Sequence, residues 1–235
     1  MCEKGLGLLF PPVCPLCQEV VPYGARSICD SCRLKLPYIN GPTCCSCGKE
    51  VVDEETEYCD DCAGNKHSYI KGFPAMNYVE PMCGSIAAFK YKNQRDFSEF
   101  YVQEIIKRQG DSIRRLNPDV LVPVPIHRKR RRRRGFNQAE LLARGLGREL
   151  NIVVDTGIIK RISNTAPQKT LDNINRKNNL KNAFIFCGKS VKYNTVMLVD
   201  DIYTTGATVD ACASVLLDAG VGEVYYTSIC IGKGR

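Results

Sequence analysis

One transition near the C-terminus, from an apolar run to paired acids, constrains the fold of this chain most. The four apolar residues Val196–Val199 are typical of a strand that is buried on both faces. Asp200 and Asp201 follow, and after them comes a turn rich in hydroxyl groups and glycine, Thr204–Thr208. Apolar residues at helical spacing come next and stop at Gly220. The sequence therefore predicts a strand, an acidic pair, a turn and a helix, in that order.

The residue types of this stretch suit a ribose that carries a phosphate. The carboxylates of Asp200 and Asp201 can accept hydrogen bonds from sugar hydroxyls. Backbone N–H groups at a helix start, with hydroxyl groups nearby, favour a phosphate dianion. The alternative is an ordinary strand-to-helix turn with two solvated acids. We expect the phosphate to contact five residues, Thr204, Thr205, Gly206, Ala207 and Thr208.

Length and cysteine content limit the class of protein. The 235 residues can hold one medium domain and a small one. No apolar run approaches the about 18 residues that a membrane-spanning helix needs, and Leu6–Phe10 is too short for a signal segment. With 14 cysteines and no export signal, we predict reduced thiols that bind metal, a cytoplasmic location and no membrane insertion.

Charge divides the chain near residue 65. Residues 1–65 contain 5 Lys and Arg against 10 Asp and Glu, which gives a net charge of −5. Residues 66–235 contain 28 against 15, which gives +13. We therefore predict a small metal-binding domain over 1–65 and a phosphate-handling domain over 66–235.

The acidic part contains four C-x-x-C pairs that repeat every 15 residues. Eight thiolates at this spacing suit two tetrahedral Zn²⁺ sites, and closed sites of four thiolates are typically structural. Sequential pairing assigns the first two pairs to one ion and the last two to the other, but spacing also permits an interleaved pairing. Cys45 is either a spare thiol or an alternative to its neighbour. The predicted ligands are Cys14, Cys17, Cys29, Cys32, Cys44, Cys47, Cys59 and Cys62.

The basic part alternates predicted strands with predicted helices, a pattern that indicates a parallel α/β sheet. One predicted helix begins near Phe97, and another begins at Asn137 with Glu140 as its capping-box partner. Ligands of such sheets bind at the carboxyl ends of strands, where both Pro123–Pro125 and the acidic pair fall. The predicted strands are Ala87–Tyr91, Asp119–Pro125, Ala183–Phe186, Val196–Val199 and Val224–Ile231.

Seven consecutive cationic residues lie between these strand ends. A run of this kind is usually a solvated, mobile loop, and such runs often contact polyanions. Its position between a strand end and a helix predicts that it overhangs the site. Guanidinium groups pair with phosphate oxygens, so the run suits a pyrophosphate, a nucleic-acid backbone or both. We assign to this anion site Arg128, Lys129, Arg130, Arg131, Arg132, Arg133, Arg134 and the nearby Gln138.

The acidic pair and its turn resemble the ribose-phosphate loop of type I phosphoribosyltransferases, and the whole chain resembles the ComF family. Beyond the cysteine pairs, the matching pieces are Pro11–Pro12, Phe89–Tyr91, Pro123–Pro125, Arg134–Gln138, Arg161, Thr165, Gln168, Arg176, Asn179, Ala183–Phe184 and Asp200–Thr208. The resemblance implies a type I phosphoribosyltransferase fold, preceded by the zinc module, that binds 5-phosphoribosyl-1-pyrophosphate (PRPP) with Mg²⁺. It also implies a role in moving single-stranded DNA into the cytosol during natural transformation. The backbone at Pro123 and Val124 would then face the pyrophosphate.

One departure from the purine enzymes affects the expected chemistry. Where those enzymes carry a carboxylate that acts as a base, this chain has Thr204, so we do not expect purine salvage. His67 and His127 offer no obvious replacement. If the protein is catalytic, the reaction is displacement of pyrophosphate at the anomeric carbon of the ribose.

Three functions remain open from the sequence. The first is a DNA-uptake factor that binds PRPP and single-stranded DNA. The second is an active phosphoribosyltransferase on an unidentified acceptor. The third is a zinc-ribbon adaptor for a helicase-like competence partner, with the α/β domain as a ligand-gated sensor. The absence of Trp and the presence of only 8 Phe argue against a dedicated single-strand-binding module.

Overall fold

The computed structural model describes residues 12–21, 28–163, 182–188 and 190–232. The segment Leu6–Phe10 and the residues Pro11, Thr165, Gln168, Arg176 and Asn179, which were singled out above, lie outside these ranges. The helices are α1 (Asp30–Arg33), α2 (Asp60–Ala63), α3 (Met82–Tyr91), α4 (Phe97–Leu116), α5 (Arg128–Arg134), α6 (Gln138–Leu150) and α7 (Ala207–Asp218). The strands are β1 (Gly72–Asn77), β2 (Val120–Pro123), β3 (Ile159–Arg161), β4 (Phe184–Phe186), β5 (Thr195–Tyr203) and β6 (Glu223–Ile231).

Four strands form the central sheet in the order β1-β6-β5-β2, and every neighbouring pair is parallel. In β5, Val196–Val199 are all buried, as expected for a strand covered on both faces. The predicted parallel α/β class is thereby confirmed, as are strands near 120–123, 196–199 and 224–231. The strand β4 also forms as predicted, but it pairs antiparallel with β3 in a separate two-stranded sheet.

Helices cover both faces of the central sheet. On one face, Phe89 of α3, Tyr101 of α4 and Leu142 of α6 pack against Met197 and other side chains of β5 and β6. A Cβ atom at Gly145 of α6 would lie 2.5 Å from a methyl group of Val102, so α4 and α6 approach closely only because this residue is glycine. The other face, which carries Val196 and Leu198, packs against α7.

The prediction of a strand over Ala87–Tyr91 is wrong, because these residues form the second half of α3. The apolar side chains of Ile86 and Phe89 are three residues apart and both fully buried, so they share one helix face. Apolar neighbours at 87 and 88 made the short stretch resemble a strand. Periodicity cannot separate a buried helix from a strand over so few residues.

The helix predicted from Asn137 is confirmed, but the capping box is wrong. The Asn137 side chain makes no capping hydrogen bond, because its Nδ2 donates instead to the carbonyl of Val124 at 3.1 Å. The Glu140 carboxylate pairs with Arg131 at 3.2 Å and with Arg144 at 2.9 Å. Asn137 therefore ties the start of α6 to the end of β2.

The described part of residues 1–65, here called the cysteine-rich module, covers the outer edge of β1. The N–H of Gly72 donates to Ser46 at 2.8 Å, and the N–H of Asn77 donates to Pro37 at 2.8 Å. Tyr38 and Met76 form an antiparallel bridge between these contacts. The packing thus crosses residue 65, and a domain boundary at that residue stays a prediction.

The two halves of the module pack on opposite faces of the sheet. Cys14 and Cys32 join the apolar cluster that contains Phe89, whereas Cys47 and Cys62 join the cluster on the α7 face. Among the described residues, no helix is both long and apolar enough to span a membrane.

Candidate functional site

Strands β2 and β5 stop pairing near their carboxyl ends, and the space beyond their last shared hydrogen bond is here called the crevice. The last ladder contact is the N–H of Val124, which donates to Val199 at 2.9 Å. Pro125 follows and has no N–H to donate, so pairing on this side stops here. β5 instead continues to Tyr203 and remains paired with β6. The acidic pair was predicted to follow the strand, but it lies inside β5, on the stretch that β2 no longer covers.

The two carboxylates point to opposite faces of the sheet, as neighbouring residues of a strand must. On one face, Oδ1 of Asp201 forms an ion pair of 2.7 Å with the Lys90 ammonium. On the other face, Asp200 lies within electrostatic range of Arg161 and Cys212. Oδ1 of Asp200 also accepts the N–H of Asp201 at 2.8 Å. A cationic side chain thus accompanies each carboxylate.

Asp200 is held close to its neutral form. Burial first, and then the charge of Asp201, raises the pKa of Asp200 to about 7. Lys90 and Arg161 act in the opposite direction without cancelling this shift. A carboxyl group that changes charge near neutral pH in a crevice is typical of functional sites.

The turn after β5 leaves a helix start open. Gly206 adopts a left-handed conformation (φ 76°), and a Cβ there would lie 2.3 Å from the hydroxyl of Tyr203, so only glycine fits. As the N-cap of α7, it supplies no side chain to the first-turn N–H groups. Thr204 and Thr205 are exposed, while Ala207 and Thr208 are half-buried in the first turn. The five residues predicted to hold phosphate are therefore brought together around uncapped N–H donors.

A cluster of three tyrosines supports this turn from below. The hydroxyls of Tyr69 and Tyr203 lie 2.6 Å apart, and the rings of Tyr203 and Tyr226 stack at 4.7 Å. The Tyr226 hydroxyl donates to the carbonyl of Cys47 at 2.7 Å. The turn is thereby connected to the cysteine-rich module, a relationship that no spacing in the sequence indicated.

Neither histidine is placed to serve as a base in the crevice. The His67 side chain is only 4% exposed and lies between the thiol of Cys62 and the carboxylate of Asp210. His127 precedes α5, and its Nδ1 accepts the N–H of Lys129 at 3.2 Å. Partial desolvation, followed by nearby cations such as Arg161, lowers the pKa of His127 below its usual value.

The cationic run is a helix, so the prediction of a mobile loop is wrong. The imidazole of His127 caps the start of α5, and Gly135 ends it in a left-handed conformation. Adjacent cations disfavour a helix by repulsion, but contacts from elsewhere in the chain offset this. Arg131 pairs with Glu140 at 3.2 Å, and Arg134 donates to Oε1 of Gln138 at 3.0 Å.

The anion-site residues are divided between surface and interior. Arg128, Lys129 and Arg131–Arg133 are exposed, whereas Arg130 and Arg134 are half-buried. Gln138 is only 1% exposed and lies beneath the helix. Its Nε2 has no hydrogen-bond partner within the described ranges. The exposed cations thus present a positively charged surface that begins five residues after the end of β2 at Pro123.

The eight paired cysteines form two clusters of four, and the structure selects the sequential pairing over the interleaved one. Within each cluster all sulfur atoms lie within 4.8 Å of one another. The Cys14–Cys29 and Cys47–Cys59 sulfur distances are 3.7 and 3.6 Å. Tetrahedral Zn²⁺ with Zn–S bonds of about 2.3 Å requires about 3.8 Å. The geometry and the four-thiolate donor sets therefore fit two structural Zn²⁺ sites.

Cys45 belongs to neither cluster. Its side chain is exposed, and its N–H donates to the carbonyl of Glu57 at 2.8 Å. It is therefore a spare thiol in this structure rather than a substitute for Cys44, which is buried with its cluster.

A family model described as a double zinc ribbon domain matches residues 5–63. Competence protein F from Haemophilus influenzae is 31% identical over 216 residues, which cover 90% of this chain and 93% of that protein. DNA utilization protein YhgH from Escherichia coli K12 is 30% identical over 95% of this chain and 98% of that protein. A purine phosphoribosyltransferase from Pyrococcus horikoshii Ot3 is 16% identical, with a TM-score of 0.37 over 56% of this chain and 73% of that chain.

The comparisons with competence protein F and YhgH extend across both the cysteine-rich module and the α/β part of the chain. Because a relative of that name is 31% identical over nine tenths of its residues, this chain belongs to the competence protein F (ComF) family.

Proposed function

We propose that this protein binds PRPP in the crevice between β2 and β5 and assists natural transformation by handling single-stranded DNA. One observation carries the first part: the acidic pair on the uncovered end of β5 leads directly into the uncapped start of α7. Carboxylates for sugar hydroxyls and N–H groups for a phosphate are thus joined by a single turn.

Each part of PRPP has partners of matching chemistry. The ribose hydroxyls donate to Asp200 and Asp201, and these hydrogen bonds are stronger when both carboxyl groups are ionised. The 5′-phosphate accepts from the N–H groups and hydroxyls of Thr204–Thr208. The pyrophosphate lies toward the backbone of Pro123 and Val124, where α5 supplies positive charge.

Magnesium fits this arrangement because carboxylate and phosphate oxygens are its preferred ligands. When bound with PRPP, Mg²⁺ would neutralise part of the pyrophosphate charge. Lys90 and Arg161 already supply positive charge next to the acidic pair. They keep the crevice compatible with a polyanion even though it contains two carboxylates.

The proposed DNA role is supported by charge and by the names of the relatives. Residues 66–235 carry a net charge of +13, and α5 carries seven cations, of which five are exposed. One relative is named for competence and another for DNA utilization. Eight reduced ligand thiolates are typical of a reducing compartment, which supports a cytoplasmic location as part of this proposal.

Titration calorimetry with PRPP and Mg²⁺ tests the site. The isosteric pair Asp200→Asn with Asp201→Asn should abolish binding, because the amides lose the charge that recognises hydroxyls. Asp218→Asn, at the far end of α7, is the matched control and should bind as the parent does. If the double variant binds PRPP with parental affinity, the site is elsewhere.

A catalytic role requires a separate measurement. The chain has Thr204 where purine enzymes carry a base, and both histidines are engaged elsewhere. Release of pyrophosphate from PRPP, with candidate acceptors present, would establish an active phosphoribosyltransferase. A helicase-like partner stays a prediction, which capture by the full chain but not by a zinc-free chain would support.

A further inference from the structure

Tyr91 is an aromatic side chain in an unusual position for this protein. It is the last residue of α3, and 62% of its surface is exposed. Its neighbour Lys90 points inward to Asp201, so Tyr91 marks the outer rim of the same region. Most other tyrosine and phenylalanine side chains of the described residues are buried or half-buried.

Guanidinium groups from α5 surround this ring. The central carbon of Arg134 lies 5.0 Å from the ring centroid, and that of Arg133 lies 5.9 Å away. Nη2 of Arg134 also donates to the Tyr91 hydroxyl at 3.1 Å. Lys92 and Arg95 are exposed next to it in the sequence. The ring is therefore exposed, its hydroxyl is held by a hydrogen bond from Arg134, and cationic side chains lie next to it.

The charge of α5 favours a polyanion at this surface. Its cations lie three and four residues apart on one helix, where like charges repel. Among the described residues, Glu140 is the one carboxylate that pairs with this helix by a salt bridge. A chain of phosphates would neutralise several of these cations at once and release its own counterions.

We propose that Tyr91 is a stacking platform for an unpaired base of single-stranded nucleic acid, whose phosphates contact the cations of α5. This inference rests on the proposed DNA role and assigns the contact that distinguishes a single strand from a duplex. Bases stack on exposed aromatic rings and on guanidinium planes regardless of sequence. In a duplex the bases are already stacked on each other, so a lone ring at the surface gains nothing from them.

The test compares three variants for binding to a labelled oligothymidine of about 12 nucleotides, within the site sizes of single-strand-binding proteins. Tyr91→Leu should bind about tenfold more weakly, because one stacked base is lost. Its log–log salt slope should equal that of the parent, because no charge has been removed. Tyr91→Phe keeps the ring and should bind nearly as the parent does.

Tyr58→Leu is the matched control, since Tyr58 is 48% exposed but lies in the acidic module. It should leave the affinity for the oligonucleotide unchanged. An oligonucleotide of the same length with abasic sites should bind the parent and Tyr91→Leu equally. PRPP affinity and zinc content should be parental in every variant, which verifies the fold.

The outcomes separate this inference from the proposed function. If the parent binds oligothymidine and Tyr91→Leu binds it equally well, the platform is wrong while the DNA role stands. A loss that is equally large with the abasic strand also overturns stacking. If the parent binds no single strand at all, both the DNA role and this inference fail.

Discussion

Nδ1 of His67, just beyond the cysteine-rich module, lies 2.7 Å from Oδ2 of Asp210 in the first turn of α7. On its other side, Nε2 of His67 lies 3.4 Å from the sulfur of Cys62. The second oxygen of Asp210 accepts the N–H of Ser68 at 2.8 Å. Ligand cluster, histidine and helix thus form one chain of contacts that ends beside the proposed phosphate site.

Replacing His67 should therefore weaken PRPP binding indirectly, because His67 itself does not contact the proposed PRPP site. In His67→Ala the carboxylate of Asp210 loses a partly buried partner, a change that costs about 1–3 kcal/mol in the free energy of unfolding. Calorimetry should show weaker PRPP binding, while metal analysis should still find the parental zinc content. His127→Ala is the control for loss of a histidine as such. Parental PRPP affinity in His67→Ala would show that this contact does not position the turn.

Metal content should reflect the two clusters. Analysis of the purified chain should find about two zinc ions, one for each closed site of four thiolates. Cys44→Ser should lose about one of them and should unfold at a lower temperature. Cys45→Ser, which changes the adjacent exposed thiol, should retain both. Equal zinc content in these two variants would contradict the assignment of Cys44 as a ligand.

The raised pKa of Asp200 should make stability depend on pH. A carboxyl group whose pKa is about 7 in the folded chain, against 3.8 in the unfolded chain, destabilises the fold as it ionises. The free energy of unfolding therefore falls as the pH rises from about 4 to about 7, and above that range this group changes it no further. Asp200→Asn should raise the free energy of unfolding at pH 8 by up to about 4 kcal/mol.

This gain should vanish toward pH 4, where the parental carboxyl is protonated in both states. Urea unfolding of parent and variant between pH 4 and pH 8 provides the measurement. A difference that does not change with pH would mean that Asp200 keeps an ordinary pKa.

Cations of α5 should set the salt dependence of DNA binding. Binding to single strands should weaken with salt by a log–log slope of about −0.7 for each phosphate neutralised. Replacing Arg130, Arg132 and Arg134 by serine should lower the affinity and reduce the slope by about two to three phosphates.

The control for this triple variant removes Lys107, Arg114 and Arg115 from α4, which equalises the change in net charge. It should leave the slope nearer to that of the parent. If both triple variants change the slope equally, α5 contributes only to the general charge of the domain.

The sequence predicted those features of the fold that depend only on residues close together in the chain. The buried run Val196–Val199, its acidic pair and the glycine of the turn are determined within a few residues, because burial, side-chain alternation and a positive φ are local properties. The eight cysteines were found for the same reason. Their pairing was not, because four identical pairs at equal spacing offer no local difference between sequential and interleaved sites.

The features that the sequence did not predict depend on tertiary contacts between distant segments. The run Arg128–Arg134 is helical because Glu140 and Gln138 hold it, and neither can be recognised as a partner from the run itself. The support of the turn by Tyr69 and Tyr226, and the contact between His67 and Asp210, join segments more than 130 residues apart. No periodicity or spacing connects residues at that distance.

The contacts at the outer edge of β1 have a consequence for what happens when metal is lost. An uncovered edge strand offers unpaired N–H and carbonyl groups to any other extended chain. Here the module supplies those partners, through Ser46 and Pro37, and Pro74 interrupts the strand between them. A chain deprived of zinc should therefore not merely lose a domain. It should expose a template for strand addition and self-associate into β-rich aggregates, so that metal loading protects the solubility of the whole protein.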